Sequence, residues 1–270
     1  MKIKHVGIDS DILVYQAAFA VEARGYIGYD VDDNPVEFSK YKKNITTARI
    51  EPYSAVEEDD IETSYNIYDA KVRTAIRRTG ATSCTTYLTG KGNFRNDLYD
   101  LYKSTRGVKP LLYKIIRSYI EMQPSTVVVN GQEADDALSI AQYKDPKHHC
   151  IATIDKDLLM VAGHHYHLNK DTLTYVTKEE GIKSFYKQIL TGDKVDDITG
   201  IKGIGPKKAE KIIDHLETEY EMWEEVLVHW ENFLMDMKEG VEDIVIRNAR
   251  LLWMRSYEGE MWTPPTYLRE

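Results

Sequence analysis

Ten carboxylates in this chain of 270 residues stand where one segment ends and the next begins. Asp9 and Asp11 follow the short run KIKHVGID. Glu133, Asp135 and Asp136 (EADD) come after TVVVN. Asp155 and Asp157 (TIDKD) come after HCIATI, and Asp193, Asp196 and Asp197 (GDKVDD) stand where a helical region begins. Carboxylates brought this close raise one another's pKa. Hard divalent cations with oxygen ligands relieve that repulsion. Spacing supports convergence. Asp155 and Asp157 point the same way on an extended chain. Glu133 and Asp136 share a helical face. Asp135 can face the same site only if Glu133 lies in a non-helical turn ahead of the helix. Other chemistries fit worse. His148, His149, His164, His165 and His167 form no H-E-x-x-H motif, and TGKG at 89–92 lacks the spacing of a P-loop. No serine-centred nucleophile elbow occurs.

Acids scattered over 190 positions meet only if the fold gathers them. Strands are expected at 2–9, 83–89, 126–130, 149–154, 164–168 and 172–177. Helices are expected at 12–20, 61–78, 93–106, 110–122 and 133–143, and the chain reads as nearly all helical from 178 to about 255. The acidic run 57–60 reads as the solvated start of a helix. Residues 22–56 are punctuated by Gly25, Gly28, Pro35 and Pro52; they could hold a hairpin and carry no assignable motif. Alternating strands and helices predict an α/β fold, a mostly parallel central sheet flanked by helices. In such a sheet the strand C-termini line one edge, where three of the acid groups then meet. The fourth joins them if the C-terminal lobe folds back.

Cations flank the acids. Residues 91–118 carry seven basic residues against Asp97 and Asp100. On the expected helix, Arg95, Tyr99, Tyr102, Lys103 and Arg106 share one face, suited to phosphates and a stacked base. The stretch GIKGIGPKKAEK (200–211) reads as a tight glycine hairpin with Pro206 in the next helix's first turn. Lys202, Gly203, Gly205, Lys207, Lys208 and Lys211 would there grip a phosphate backbone without reading bases. The net charge of −9 argues against nucleic acid only as a bulk number, because the chain without the ten acids is about neutral. Two cysteines exclude a disulfide framework or a cysteine zinc site and suit a reducing compartment. No apolar run approaches the roughly 18 residues of a membrane span, and no secretory leader is recognisable. The expectation is a cytoplasmic protein, in the host cytoplasm if phage-encoded.

These parts resemble the 5′ nuclease (flap endonuclease) superfamily, and most closely the 5′→3′ exonucleases of bacteriophages. IDSDILVYQA, NFRNDLYDLYKSTR, EADD, TIDKDLL and GDKVDDITGIKGIGPKKA occur in the family's order and approximate spacing. The resemblance implies a nuclease domain over 1–178 with a helical arch at about 91–122. It implies a DNA-binding lobe over 179–270 with a helix–three-turn–helix motif at about 186–216. It implies two Mg²⁺ or Mn²⁺ ions, one near Asp9, Glu133 and Asp135 with Asp136, the other near Asp155, Asp157, Asp193 and Asp196. Lys103 and Arg106 match cations that contact the scissile phosphate, with Arg95 beside them. Carbonyls of Thr199, Ile201 and Ile204 match a potassium site at the hairpin. The implied partner is duplex DNA with a 5′ end, flap or nick, bound by a monomer away from membranes; RNA–DNA hybrids stay open as a further substrate. Asp197 stands where relatives often carry Asn and is given no ligand role. One departure is clear: the family places an Asp at the end of the second strand, and here Thr89-Gly90-Lys91-Gly92-Asn93 holds no carboxylate. Asp11 is the candidate to compensate. A PIN-type ribonuclease and a non-catalytic DNA-binding protein with a decayed site are the alternatives.

Overall fold

The computed structural model describes residues 2–29, 31–36, 49–235 and 240–266. Along the chain come β1 (His5–Asp9), α1 (Ser10–Val21), β2 (Ala23–Tyr29), β3 (Pro35–Val36), β4 (Arg49–Ala55), α2 (Asp59–Thr79), β5 (Ser83–Thr89), α3 (Phe94–Leu98), α4 (Tyr113–Glu121), β6 (Thr126–Val129) and α5 (Ala134–Lys144). Then follow β7 (His149–Thr153), a single 3₁₀ turn (Asp157–Met160), β8 (Gly163–His167), β9 (Thr172–Val176), α6 (Lys178–Thr191), β10 (Gly192–Asp193), β11 (Ile198–Thr199), α7 (Pro206–Ile213), α8 (Glu219–Phe233) and α9 (Val241–Leu252). The chain divides into two compact units. One holds residues 1–11, 72–107 and 124–270; the other holds 12–71 and 108–123.

The first unit is built on a six-stranded sheet in the order β6-β5-β1-β7-β8-β9. Its first five strands run parallel and β9 closes one edge antiparallel. From β1 the chain steps outward through β5 and β6, then returns to the other side of β1 with β7 and β8. The direction of winding therefore reverses between β1 and β7, which opens a crevice beyond their C-terminal ends. Val6, Ile8, Ile151 and Ala152 are wholly buried, as expected of central parallel strands covered on both faces. Leu138 of α5 packs over them. Gly7 permits this, because a Cβ there would lie 2.8 Å from Leu138 Cδ2 and 2.9 Å from His149 Cε1. The same core continues through Met160, Phe185 and Ile189 to Trp223, Val226, Trp230 and Leu252 of the C-terminal helices. A Cβ at Gly181 would sit 2.4 Å from the Met160 carbonyl oxygen, so this glycine lets α6 lie directly on the 157–160 turn.

The second unit contains the antiparallel sheet β3-β2-β4. Residues 22–56 thus hold more than the single hairpin that their sequence allowed. Part of that stretch, 37–48, lies outside the described residues. In this unit Tyr119 of α4 stacks on Tyr65 of α2 at 4.0 Å between ring centres and donates its hydroxyl to Asp69. Ile116 and Ile120 of α4 are fully buried.

One buried histidine of the first unit carries a pH signature. His149 is 4% exposed; its Nδ1 meets Gln142 Oε1 at 2.7 Å and its Nε2 has no partner. Burial holds its pKa down at about 4. A depressed histidine contributes stability that is complete above its unfolded value of about 6.5 and is lost as the pH falls towards 4. The full cost of charging it is about 3 kcal/mol. We predict that His149→Gln flattens the loss of stability between pH 6.5 and 4.5 relative to the native chain, measured by urea unfolding. Parallel curves would contradict it.

Candidate active site

The parallel strands deliver the acids to one edge. Asp9 is the last residue of β1 and is 5% exposed; its Oδ2 accepts a 2.9 Å hydrogen bond from Thr153 at the end of β7, across the crevice. Beyond Thr153, Asp155 accepts the Asp157 N–H at 2.8 Å. Here the expected extended spacing is replaced by a turn: Lys156 has helical backbone angles and Asp157 opens the 3₁₀ turn. On the other flank, Glu133 precedes α5 with extended angles (φ −84°, ψ 162°). This non-helical position is the one that the sequence required if Asp135 was to face the site with it.

The electrostatics show how close the carboxylates are. Burial, then the charges of Asp9, Asp155 and Glu133, raise Asp135 well above the usual carboxylate range. Burial, then Asp155 and Asp193, push Asp157 up to about 8. Two acid clusters therefore overlap at Asp155. Burial also opposes charge on Glu133 and Asp193, yet both are held low. Lys103 and Arg95 stabilise Glu133; the Val195 N–H and Lys156 stabilise Asp193. Asp193 comes from a tight ribbon in which β10 pairs antiparallel with β11. A Cβ at Gly192 would meet the Gly200 nitrogen at 2.3 Å, so glycine is required at that crossing.

The expected helix over 93–106 ends at Leu98, where Tyr99 turns extended (φ −156°, ψ 110°). Arg95, Tyr99, Tyr102, Lys103 and Arg106 consequently do not share one helical face. Tertiary partners outweigh the local periodicity. Arg95, expected beside the scissile phosphate, is 1% exposed and makes a bidentate pair with Asp136 at 2.6 and 3.0 Å. That pairing also commits Asp136, expected beside the first ion, to a neighbouring cation. Tyr102, expected to stack on a base, is 6% exposed and donates its hydroxyl to Glu133 at 2.9 Å and to Asp196 at 3.2 Å. Lys103 adopts a left-handed backbone (φ 56°) and places its amine 2.6 Å from Glu133 Oε1 and 3.3 Å from Asp196 Oδ2. Arg106 is half exposed, 3.9 Å from Asp196.

Two further acids are held by hydrogen bonds at the rim of the site. Asp11 Oδ2 accepts the Thr89 N–H at 3.0 Å, so this carboxylate stands against the end of β5. Asp197 accepts the Thr105 N–H at 2.9 Å and its hydroxyl at 2.8 Å, while the Asp196 carbonyl accepts the Lys103 N–H. These bonds clip the 103–105 turn to the 193–197 ribbon. Lys156 was missed because a lysine between two aspartates reads as a solvated charge. It lies 3.4 Å from Asp193 Oδ2.

At the hairpin, Lys202, Gly203, Gly205, Lys207, Lys208 and Lys211 are all exposed, and Gly203 takes a left-handed turn (φ 88°). The Thr199 carbonyl accepts from the Asn248 side chain and the Ile201 carbonyl from the Ile204 N–H, so two of the three expected potassium contacts already have a protein donor.

As the side chains lie, no group of three His, Cys, Asp or Glu residues among the described ones could hold a metal ion. The carboxylates face lysine amines, hydroxyls and N–H groups. Their chemistry nevertheless fits a hard cation. The donors are all oxygen, and Asp135 Oδ1 and Asp157 Oδ1 are buried without a hydrogen-bond partner. Such orphaned oxygens call for a ligand.

No protein-family model matches the chain. DNA polymerase I of Rhizobium leguminosarum is 32% identical over 140 residues, 45% of this chain and 14% of the polymerase. A 5′-3′ exonuclease of Aquifex aeolicus is 31% identical over 156 residues, 52% of this chain and 53% of that protein. The chain thus spans about half the length of that exonuclease and a small part of the polymerase. Among solved structures, the bacteriophage T5 5′-exonuclease with divalent zinc bound matches with a TM-score of 0.61 at 14% identity, over 92% of this chain and 89% of that one. The resemblance read from the motifs is thereby shown, in sequence to a 5′-3′ exonuclease and DNA polymerase I over about half of the chain and in fold to a phage 5′-exonuclease.

Proposed function

We propose that this protein is a metal-dependent 5′→3′ exonuclease and structure-specific flap endonuclease, which hydrolyses phosphodiester bonds near the 5′ end of duplex DNA. The reading is carried by the two overlapping acid clusters at the β1/β7 crevice, set beside relatives named 5′-3′ exonuclease. Asp9, Glu133 and Asp135 would hold one divalent ion, and Asp155, Asp157, Asp193 and Asp196 the other, either Mg²⁺ or Mn²⁺. Bound there, two ions would supply Lewis acidity at the scissile phosphate and an ionised water. The chain's own part is positioning. Residues 1–178 carry the chemistry. Lys103 and Arg106, fixed by the clipped 103–105 turn, offset phosphoryl charge at the cluster edge. Residues 179–270 hold the duplex, with Lys207, Lys208 and Lys211 along α7 on its phosphates. No protein nucleophile is required, and the products carry a 5′-phosphate. The enzyme acts as a monomer in the cytoplasm, on flapped or nicked DNA; the experiment below decides whether RNA–DNA hybrids are a further substrate.

The deciding experiment follows magnesium-dependent release of nucleotides from 5′-labelled flapped, nicked and RNA–DNA duplexes. Single-stranded RNA serves as the contrast. Cleavage confined to single-stranded RNA would favour a PIN-type ribonuclease, and inertness on every substrate would favour a DNA-binding protein without catalysis.

A second prediction concerns the hairpin. Lys207→Ala weakens duplex binding with little sequence bias and lowers the salt slope by about 1, the signature of one lost phosphate contact. Binding isotherms at several salt concentrations read this directly. An unchanged slope would remove Lys207 from the interface.

A further inference from the structure

Lys156 sits between Asp155 and Asp157 at the start of the 3₁₀ turn, in a helical conformation that returns its side chain towards the ribbon. Its amine lies 3.4 Å from Asp193 Oδ2 and 3.9 Å from Asp157 Oδ1. Those two carboxylates are 4% and 11% exposed, whereas the lysine side chain is 71% exposed. Among the described residues it is the one cation paired with either of them. The other lysine at the acids, Lys103, bridges Glu133 of the first set and Asp196 of the second, but its side chain is only 14% exposed. The two lysines therefore differ in how easily they can leave.

We propose that Lys156 is a built-in, displaceable counter-ion of the second acid cluster, and that a divalent cation must evict its amine to settle among Asp155, Asp157 and Asp193. The inference rests on the metal-dependent reading above. The physics is a competition for the same carboxylate oxygens. A buried set of aspartates without a cation repels itself. An ammonium on a flexible stem offsets that repulsion while most of the stem stays in water, so leaving costs little. A divalent ion carries twice the charge and binds oxygen at shorter range, and it wins when its concentration is high enough. The lysine thereby holds the cluster together before the ion arrives and weakens the ion's apparent affinity.

The test uses the full chain and Mn²⁺ alone, with free ion followed by electron paramagnetic resonance and stability by thermal unfolding. In Lys156→Met the second Mn²⁺ should bind about fivefold tighter, the factor that one exposed ion pair is worth. The metal-free protein should melt lower, and its gain in Tm on adding Mn²⁺ should be larger. Lys156→Arg, which keeps the charge, should bind Mn²⁺ as the native chain does. If two ions bind to both proteins and Lys156→Met shows native affinity, the counter-ion role is refuted while the metal-dependent reading stands. If neither protein binds Mn²⁺, both fall together.

Discussion

Replacing Asp155 by Asn should lower the rate of DNA cleavage by about a thousandfold, because several kcal/mol of transition-state stabilisation depend on ions seated in the clusters. Asp155 is the residue to choose because it belongs to both. Its charge raises Asp135 on one side and Asp157 on the other. The substitution is nearly isosteric. A side-chain oxygen still remains to accept the Asp157 N–H, the bond that shapes the turn at 2.8 Å. The fold should therefore survive. Affinity for a flapped duplex, which the proposal assigns to the distant lysines of α7, should change little. Single-turnover cleavage and equilibrium binding on the same substrate separate the two effects. Loss of both would point to misfolding, and retention of native cleavage would remove Asp155 from the chemistry.

The second large effect concerns stability. Arg95→Met should cost about 3–5 kcal/mol, the usual penalty for leaving one member of a buried ion pair alone. The Asp136 carboxylate is fully buried, and Arg95 supplies both of its guanidinium contacts. Arg95 also donates to the Leu251 carbonyl at 2.8 Å and the Trp253 carbonyl at 2.9 Å. Removing it thus loosens the chain segment that ends α9 as well. Total stabilities of single domains run to only about 5–15 kcal/mol, so the variant should unfold at far lower urea concentration. Adding Asp136→Leu should restore most of the loss, since it removes the stranded charge. A single variant within about 1 kcal/mol of the native chain would show that the pair contributes little; the same variant losing cleavage while staying folded would return Arg95 to the chemistry.

The contrast between Arg95 and Lys103 shows why the arch region was the least legible part of the sequence. Both are basic residues in one run with tyrosines at helical spacing. Periodicity assigned them to a single face. Spacing measures only what a neighbour three or four positions away can offer. It does not register Asp136, forty-one positions on, which draws Arg95 inward, nor Glu133 and Asp196, which draw Tyr102 and Lys103. The sheet of the second unit was hidden for a related reason. Ala23–Tyr29 contains two glycines and Arg49–Ala55 a proline, so neither looks like a strand until the partner is in place.

What the chain determined unaided is the set of six central-sheet strands, the helices on either side of them and the placement of acids at strand ends. Apolar periodicity and the carboxyl-edge rule are local and topological, and both can be read along one dimension. Tertiary structure alone decided which carboxylates remain free for a ligand and which are already answered by a cation. That choice depends on which charges meet in the folded chain, as Arg95 meets Asp136 and Lys103 meets Glu133, each at 2.6 Å, where burial makes the pairing strong. Asp136 is bound to Arg95, whereas Asp135 keeps a buried oxygen without a hydrogen-bond partner and Asp157 has only the Lys156 amine, at 3.9 Å.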